Sequence, residues 1–525
     1  MFKNKAGIPR PIPVPFVCAV LFVLLHALAG AAQAGADPRP GSPSAASALP
    51  WLAGDGAQAR VALRLLGDAA AHGLDPSHYH AAELARRFPA PDAPAAAAFE
   101  RDLGAAMVRY LGDLQRGRTA SAYNAPDKPA PRFDAAAILA RALREGRLEQ
   151  AVEGAAPEIP LYRRVQASLA RYRELARRHP AWPPLPPAPQ GGVEAGARYP
   201  GAAQLAERLR LLGDLDEPDA IADDAQRYTP ALAAGLKRFQ ARHGLPEDGV
   251  LGPRSLAALS VPPSHRADQL ALTLERLRWL PPLAPGPVVA VNLPAYRLWA
   301  FDSRPGSAAQ PLEMRIIVGT AARTPTPLFI GQMRYLELNP YWNVPRSIAV
   351  GEIIPKLARN PSYLRQNDME LVSPDGQVLG DGADGADGAL AALRAGSARV
   401  RQRPGPQNAL GALKFAMPNP MNIYLHSSPA QELFNRSRRD LSHGCIRVEH
   451  PVALAQFVLA ANGKWDAAAL EAAIRKGKTR TLTLPATVPV VLFYATAVTE
   501  RDGRVLFADD IYGQDPALIR ALQAP

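Results

Sequence analysis

The sequence predicts an α+β multidomain protein, and three observations carry that expectation. Residues 50 to 180 repeat Leu, Val and Ala at spacings of three and four, as amphipathic helices do. Beyond Pro287 the period falls to two, the mark of strands. A proline-rich stretch and a compact unit of three short helices lie between the two regimes. At 525 residues, 48% of them hydrophobic, the chain is long enough for about three cores of ~150 residues each.

The elements follow in order. Lys3, Lys5 and Arg10 precede the apolar run VPFVCAVLFVLLHALAGA, and Ala32 and Ala34 flank Gln33 in an A-x-A pattern, so residues 1–34 are expected to be a secretory signal peptide. Left uncleaved, the same run would anchor the chain to the inner membrane, although it falls slightly short of the ~20 residues that span a bilayer. Residues 50–190 form a helical framework from segments such as ARVALRLLGDAAAHGL and YRRVQASLARYRELARR, with the linker HPAWPPLPPAPQGG at its end. His78 and His80 lie on a short turn there and read as solvated rather than as metal ligands. In residues 195–262 one helix stops at Gly213. A second is capped by Thr229, begins at Pro230 and buries Leu232, Leu236 and Phe239, and PRSLAAL completes the unit.

Residues 266–500 are expected to be β-rich: VVAVNL, RLWAF, MRIIVGT, MRYLELN, ALKFAM, NIYLH and VPVVLFYATAV read as strands. RVLFADD closes the sheet at the start of a C-terminal extension, 501–525. Between about 341 and 408 an insertion breaks the pattern with a helix, SIAVGEIIPKL, capped by Ser347, and with the repeat DGADGADG. That repeat lacks the full oxygen series of a calcium loop and reads as solvated.

The chain has two cysteines. Removal of the signal would take Cys18 and leave Cys445 alone, in LSHGCIRVEH. In an oxidising compartment an unpaired cysteine is an intermolecular link or a reactive thiol. His443 stands two residues before it, and His426 ends the strand NIYLH nineteen residues upstream, where a returning loop can bring it to the thiol. Arg436, Arg438, Arg439 and Arg447 cluster around the motif in sequence and are expected to favour thiolate. Gly444 permits close backbone approach, and neighbouring amides could hold an oxyanion. Together these describe acyl transfer through a thioester, which needs neither metal nor cofactor. His426, His443 and Cys445 are also three zinc ligands with a vacant fourth position, although no nearby Glu stands out as general base. A third reading, a Cys packed as a small hydrophobe, conflicts with neighbours Ser442 and Gly444. The net charge of +12 suits an anionic polymer or surface, and no nucleic-acid-binding signature is present.

His426, a gap, then SHGC resembles the signature of L,D-transpeptidases of the YkuD type. VNLPAYRLWAF, RTPTPLF, NPYWNVPRSIA, RPGPQNALGALKF and DDIYGQD resemble the large Gram-negative members. Residues 198–262 are similar to their peptidoglycan-binding domain, and the helical part, with HGLDP, to their scaffold domain. The resemblance implies a periplasmic enzyme in which Cys445 attacks the third residue of a donor stem tetrapeptide, releases D-Ala, and passes the acyl group to an amine to give a 3-3 crosslink. It implies that His426 is the base, oriented by the carbonyl of Ser427, and that His443 and Gly444 line the oxyanion and substrate site. The 341–408 insertion would be a helical lid, and carbapenems would acylate Cys445. Arg447, where many relatives carry Asn, either meets a substrate carboxylate or braces the loop. An L,D-carboxypeptidase or hydrolase would use the same site with water as acceptor.

Overall fold

Alternation of apolar and polar residues gives the β-rich half one apolar face, around which its sheet closes into a barrel. Leu413 and Phe415, Leu425, Ile446 and Val448, and Leu336 and Leu338 all point to one core, while Lys414, His426, Arg447 and Glu337 fall on the other face. The computed structural model describes residues 50–89, 92–123, 133–216, 225–307, 309–381 and 385–524; the expected signal peptide, with Cys18, lies outside the described residues.

The barrel strands run in spatial order Leu312–Gly319, Ile446–Val448, Leu425–His426, Leu413–Ala416, Phe329–Leu338, Arg480–Phe493, Pro287–Asn292 and Arg297–Asp302. Arg297–Asp302 then pairs back onto Leu312–Gly319, so the ladder closes on itself. Closure leaves no long unpaired edge. A further short strand, Asp440–Ser442, lies parallel beside the end of Leu312–Gly319. Ala497–Thr499 and Val505–Phe507 do not close this sheet as the sequence suggested; they form a separate hairpin. Its Phe507 packs with Tyr172, Leu270 and Leu274, so the last segment is built into the body between the helices Pro160–Arg178 and Pro263–Arg278.

The N-terminal helices, among them Ala57–Gly67, Ala93–Arg116 and Ala135–Glu145, enclose Trp51, Phe99, Leu103, Met107 and Tyr110. They meet the helix Pro263–Arg278 around that helix's own buried pair, Arg278 Nη1 to Glu275 Oε2 at 2.7 Å, with Arg278 also donating to His72 O. The free oxygen of Glu275 accepts from the amide and hydroxyl of Thr119 at 2.9 and 2.8 Å, so the carboxylate is fully used.

In the small helical unit, Thr229 Oγ1 accepts from the Leu232 amide at 3.2 Å and caps the helix Pro230–Arg242. The proline-rich linker is not loose. Trp182 Nε1 donates to Leu259 O at 2.9 Å and Tyr199 OH to Pro186 O at 2.6 Å, which strap the linker across the unit. Arg242 reaches Asp214 at 2.5 Å with both side chains about 5% exposed, and the neighbouring His243 stacks on Phe507 at 5.3 Å. Arg242→Ala leaves Asp214 buried without its counter-charge, and the expected cost is about 3–5 kcal/mol in urea unfolding.

The insertion holds helices, among them Ile354–Arg359 and Ala386–Ala395, and also a sheet that the sequence did not suggest. Its strands Trp342–Asn343, Arg399–Gln402, Met369–Val372 and Val378–Gly380 form a four-stranded sheet. Ile353, Leu357, Leu371, Leu393 and Val400 give it a core separate from the barrel's. The helical run starts at Arg346, before Ser347, which makes no side-chain cap, and passes through a π-helical turn, Ala349–Ile353. Part of the Asp-Gly repeat, residues 382–384, lies outside the described residues. No helix among the described residues is long and apolar enough to cross a membrane.

Candidate active site

Parallel pairing sets Leu425 opposite Ile446 and His426 opposite Arg447. Since side chains alternate along a strand, Tyr424 and His426 share the outer barrel face with Cys445 and Arg447. The two short strands are about twenty residues apart in sequence but adjacent in the sheet, and their parallel pairing is how the chain returns His426 toward the thiol. His426 and Cys445 are thus brought onto one face, diagonal to each other.

His426 is buried, and its Nδ1 lies 2.6 Å from Ser427 O. A carbonyl can only accept, so Nδ1 carries the proton and Nε2 keeps a lone pair. Ser427 is itself held: its amide donates to Leu413 O and its hydroxyl to Leu410 O, both at 2.9 Å. The turn that supplies those carbonyls contains Gly411 at φ +62°, where a Cβ would come 2.4 Å from Ser427 Oγ. Gly411→Ala therefore pushes on the residue whose carbonyl aims the imidazole. The expected loss is about 10- to 100-fold in acylation rate with the fold retained, checked by stopped-flow and circular dichroism.

Cys445 is half-buried, and its Sγ faces Asn422 O at 3.6 Å as a weak donor. Asn419 builds that approach, donating to Met417 O at 2.6 Å and Ile423 O at 2.7 Å. Burial pushes the thiol pKa up, against smaller lowering effects from Tyr424, Lys414 and Arg447. Burial, with Arg447 second, pushes His426 down to about 3. The resting pair is therefore neutral thiol and neutral imidazole.

This corrects the expected arginine cluster. Arg438 is paired with Asp440 at 2.7 Å, and Arg439 is buried, donating to Ile316 O at 3.1 Å and Arg436 O at 2.5 Å. Among the four arginines only Arg447 acts on the thiol, and its Nε is buried with no hydrogen-bond partner among the described residues.

His443 does not join the pair. It is half exposed, and its Nε2 lies 2.5 Å from Glu352 Oε1 on the insertion's π-helical turn. Gly444, at φ +113°, donates its amide to Ser442 Oγ at 3.1 Å, so that N–H is already committed. The amides of His443 and Cys445 enter no hydrogen bond among the described residues. Among the described residues no three His, Cys, Asp or Glu side chains group as metal ligands would, and His443 is turned to the insertion, so the zinc reading lacks its ligand set.

Sequence reasoning missed Tyr424, Lys414 and Glu352. Tyr424 stacks edge-on to His426 at 5.8 Å, and Lys414 Nζ lies 5.1 Å from the Tyr424 ring while pairing with Glu337 at 2.9 Å. The signal for the first two was present, since Lys414 and Tyr424 hold outward positions of the same alternation that places His426. Nothing local marks Glu352.

A closed barrel carries a thiol and an oriented imidazole on its outer face, beneath an insertion, which is the arrangement a cysteine nucleophile and its base would need. Residues 286–490 match the model of the L,D-transpeptidase catalytic domain, residues 45–169 that of a scaffold domain and residues 198–259 that of a peptidoglycan binding domain. Residues 286–490 therefore belong to the L,D-transpeptidase catalytic-domain family, joined in one chain to scaffold and peptidoglycan-binding domains. A protein of Haemophilus influenzae described as "Putative L,D-transpeptidase" is 34% identical over 252 residues, 48% of this chain and 49% of that one. The chain thus spans about half the length of that relative. A solved fused Zn-dependent amidase/peptidase/peptidoglycan-binding domain-containing protein of Clostridium acetobutylicum covers 57% of this chain and 98% of its own, at 12% identity and TM-score 0.17, too low to bear on the fold.

Proposed function

We propose that the protein is a periplasmic peptidoglycan L,D-transpeptidase that forms 3-3 crosslinks through a thioester on Cys445. The observation that carries this is the shared face of Cys445 and His426, with Nδ1 of His426 held by Ser427 O at 2.6 Å, inside an L,D-transpeptidase catalytic domain. His426 Nε2 takes the thiol proton as Sγ bonds to the carbonyl carbon of the donor's third residue. The amide C–N bond breaks, and the departing D-Ala amine takes that proton. The acceptor amine then attacks the thioester, its proton passes through His426 to sulfur, and the C–S bond breaks.

Arg447, with an unused buried N–H beside the thiol, is suited to a carboxylate of the stem peptide. The domain at 198–259 and the charge of +12 suit retention on the anionic wall polymer. Incubation with purified disaccharide-tetrapeptide, followed by mass spectrometry, tests the reading. A dimer lacking one D-Ala and linked between third residues is expected. Release of D-Ala with only monomeric tripeptide would replace it with the carboxypeptidase reading.

A further inference from the structure

The turn that carries the thiol is braced by residues that the thiol, its base and its immediate neighbours do not include. Thr326, 2% exposed, donates its hydroxyl to Gly444 O at 2.8 Å and accepts from the Gly319 amide at 2.8 Å. Its own amide donates to Tyr512 OH at 3.2 Å, and Tyr512 OH donates in turn to Gly319 O at 2.8 Å. The backbones meet closely here: a Cβ on Gly319 would lie 1.9 Å from Thr324 O and 3.0 Å from Gly444 Cα. Tyr512 is held from behind. Its amide donates to Tyr494 OH at 2.9 Å, and Tyr494 donates to Asp510, whose carboxylate caps the last helix through the amides of Gln514 and Asp515 at 2.9 Å.

The carbonyl of Gly444 and the amide of Cys445 belong to one peptide unit. That unit is planar and trans, so its C=O and N–H point in opposite directions. A bond that fixes the carbonyl therefore also fixes where the N–H points. The Gly444 amide is spent on Ser442 Oγ, and of the two amides of this turn that no hydrogen bond uses among the described residues, those of His443 and Cys445, the second lies on the attacking residue itself. A hydrogen bond to the carbonyl end also polarises the N–H at the other end.

We propose that Thr326 is a positioning residue for the oxyanion donor: by clamping the Gly444 carbonyl it aims the Cys445 N–H at the tetrahedral intermediate, and Tyr512 holds Thr326 in place. The proposal rests on the acyl-transfer reading of Cys445, and it concerns the acylation step alone. Alkylation of a thiol by iodoacetamide displaces iodide at a saturated carbon and develops no oxyanion, whereas acylation by p-nitrophenyl acetate does. The two probes, applied to the same sample of full chain, separate aim from integrity.

With the residual reaction of Cys445→Ala subtracted from each measurement, Thr326→Val is expected to lower acylation of Cys445 about 10- to 100-fold, somewhat less than the ~10² to 10³ lost when an oxyanion donor is removed outright. Its iodoacetamide rate should stay within about twofold of wild type, a margin small beside the acylation effect. Thr326→Ser should restore acylation, and Tyr512→Phe, which removes one hydroxyl, should show the same selective loss to a smaller degree. Acylation at the wild-type rate in Thr326→Val, or an equal fall in both reactions in Thr326→Val and Tyr512→Phe alike, would overturn the assignment. Because nitrophenyl acetate carries no stem peptide, the result does not depend on whether muropeptides prove to be substrates.

Discussion

Cys445→Ala is expected to abolish both crosslinking and covalent capture of acylating compounds, with the fold intact. Cys445 is the free cysteine among the described residues, and the only other cysteine, Cys18, lies in the expected signal. Its thiol packs against the surface of the turn rather than in the barrel core, so loss of sulfur leaves Ile446 and Val448 in place. Intact-mass spectrometry after exposure to a carbapenem should show one adduct on wild type and none on Cys445→Ala. An adduct that persists in the variant would remove Cys445 from the role of nucleophile.

His426→Ala should lower acylation at neutral pH by about 10² to 10⁴, the usual loss when a positioned base is removed. The pH dependence identifies the cause. With His426 depressed to about 3 and the Cys445 thiol raised, wild-type acylation should hold its plateau well below the 6.5 of a free imidazole and fall only as His426 takes a proton near pH 3. In the variant, acylation should instead climb with pH as thiolate forms without assistance. A Thr326→Val deficit should not recover in this way, since hydroxide can replace a base but cannot aim an amide. His443→Ala, which frees Glu352, should change acylation far less than His426→Ala. If the two histidine variants exchanged behaviours, His443 would be the base.

The same shift has a consequence for stability. Between about pH 3 and 6.5 the folded site holds no proton on His426 while the unfolded chain does, so stability falls as pH drops through that window. His72, pushed down to about 4 by burial and then by Arg278, acts in the same direction at the junction of the N-terminal helices with the helix Pro263–Arg278. His426→Ala should therefore flatten the acid limb of the unfolding curve between pH 6.5 and 3, and an unchanged limb would show that the imidazole is not desolvated.

By itself the sequence determined whatever depends on near neighbours and residue type. Thr229 and Pro230 start their helix because a cap and a fixed φ act within one turn. NIYLH and ALKFAM form strands because their alternation is local, and Cys445 and His426 stood out because few other residue types do that chemistry. The tertiary structure decided what depends on distance and on exclusion of water. Whether 497–499 and 505–507 extend the barrel or form their own hairpin turns on which core has room for Phe507, and that core is assembled from residues more than 200 positions away. The insertion's strands, each of two to four residues, are too short for periodicity to mark, so only pairing reveals them. The charge state of the pair could not be read from Arg436, Arg438 and Arg439. Adjacency in sequence placed them beside the thiol, but in the fold Arg438 is spent on Asp440 and Arg439 on backbone carbonyls. Burial outweighs the remaining cations, because desolvating a charge costs more than one or two partly screened neighbours return.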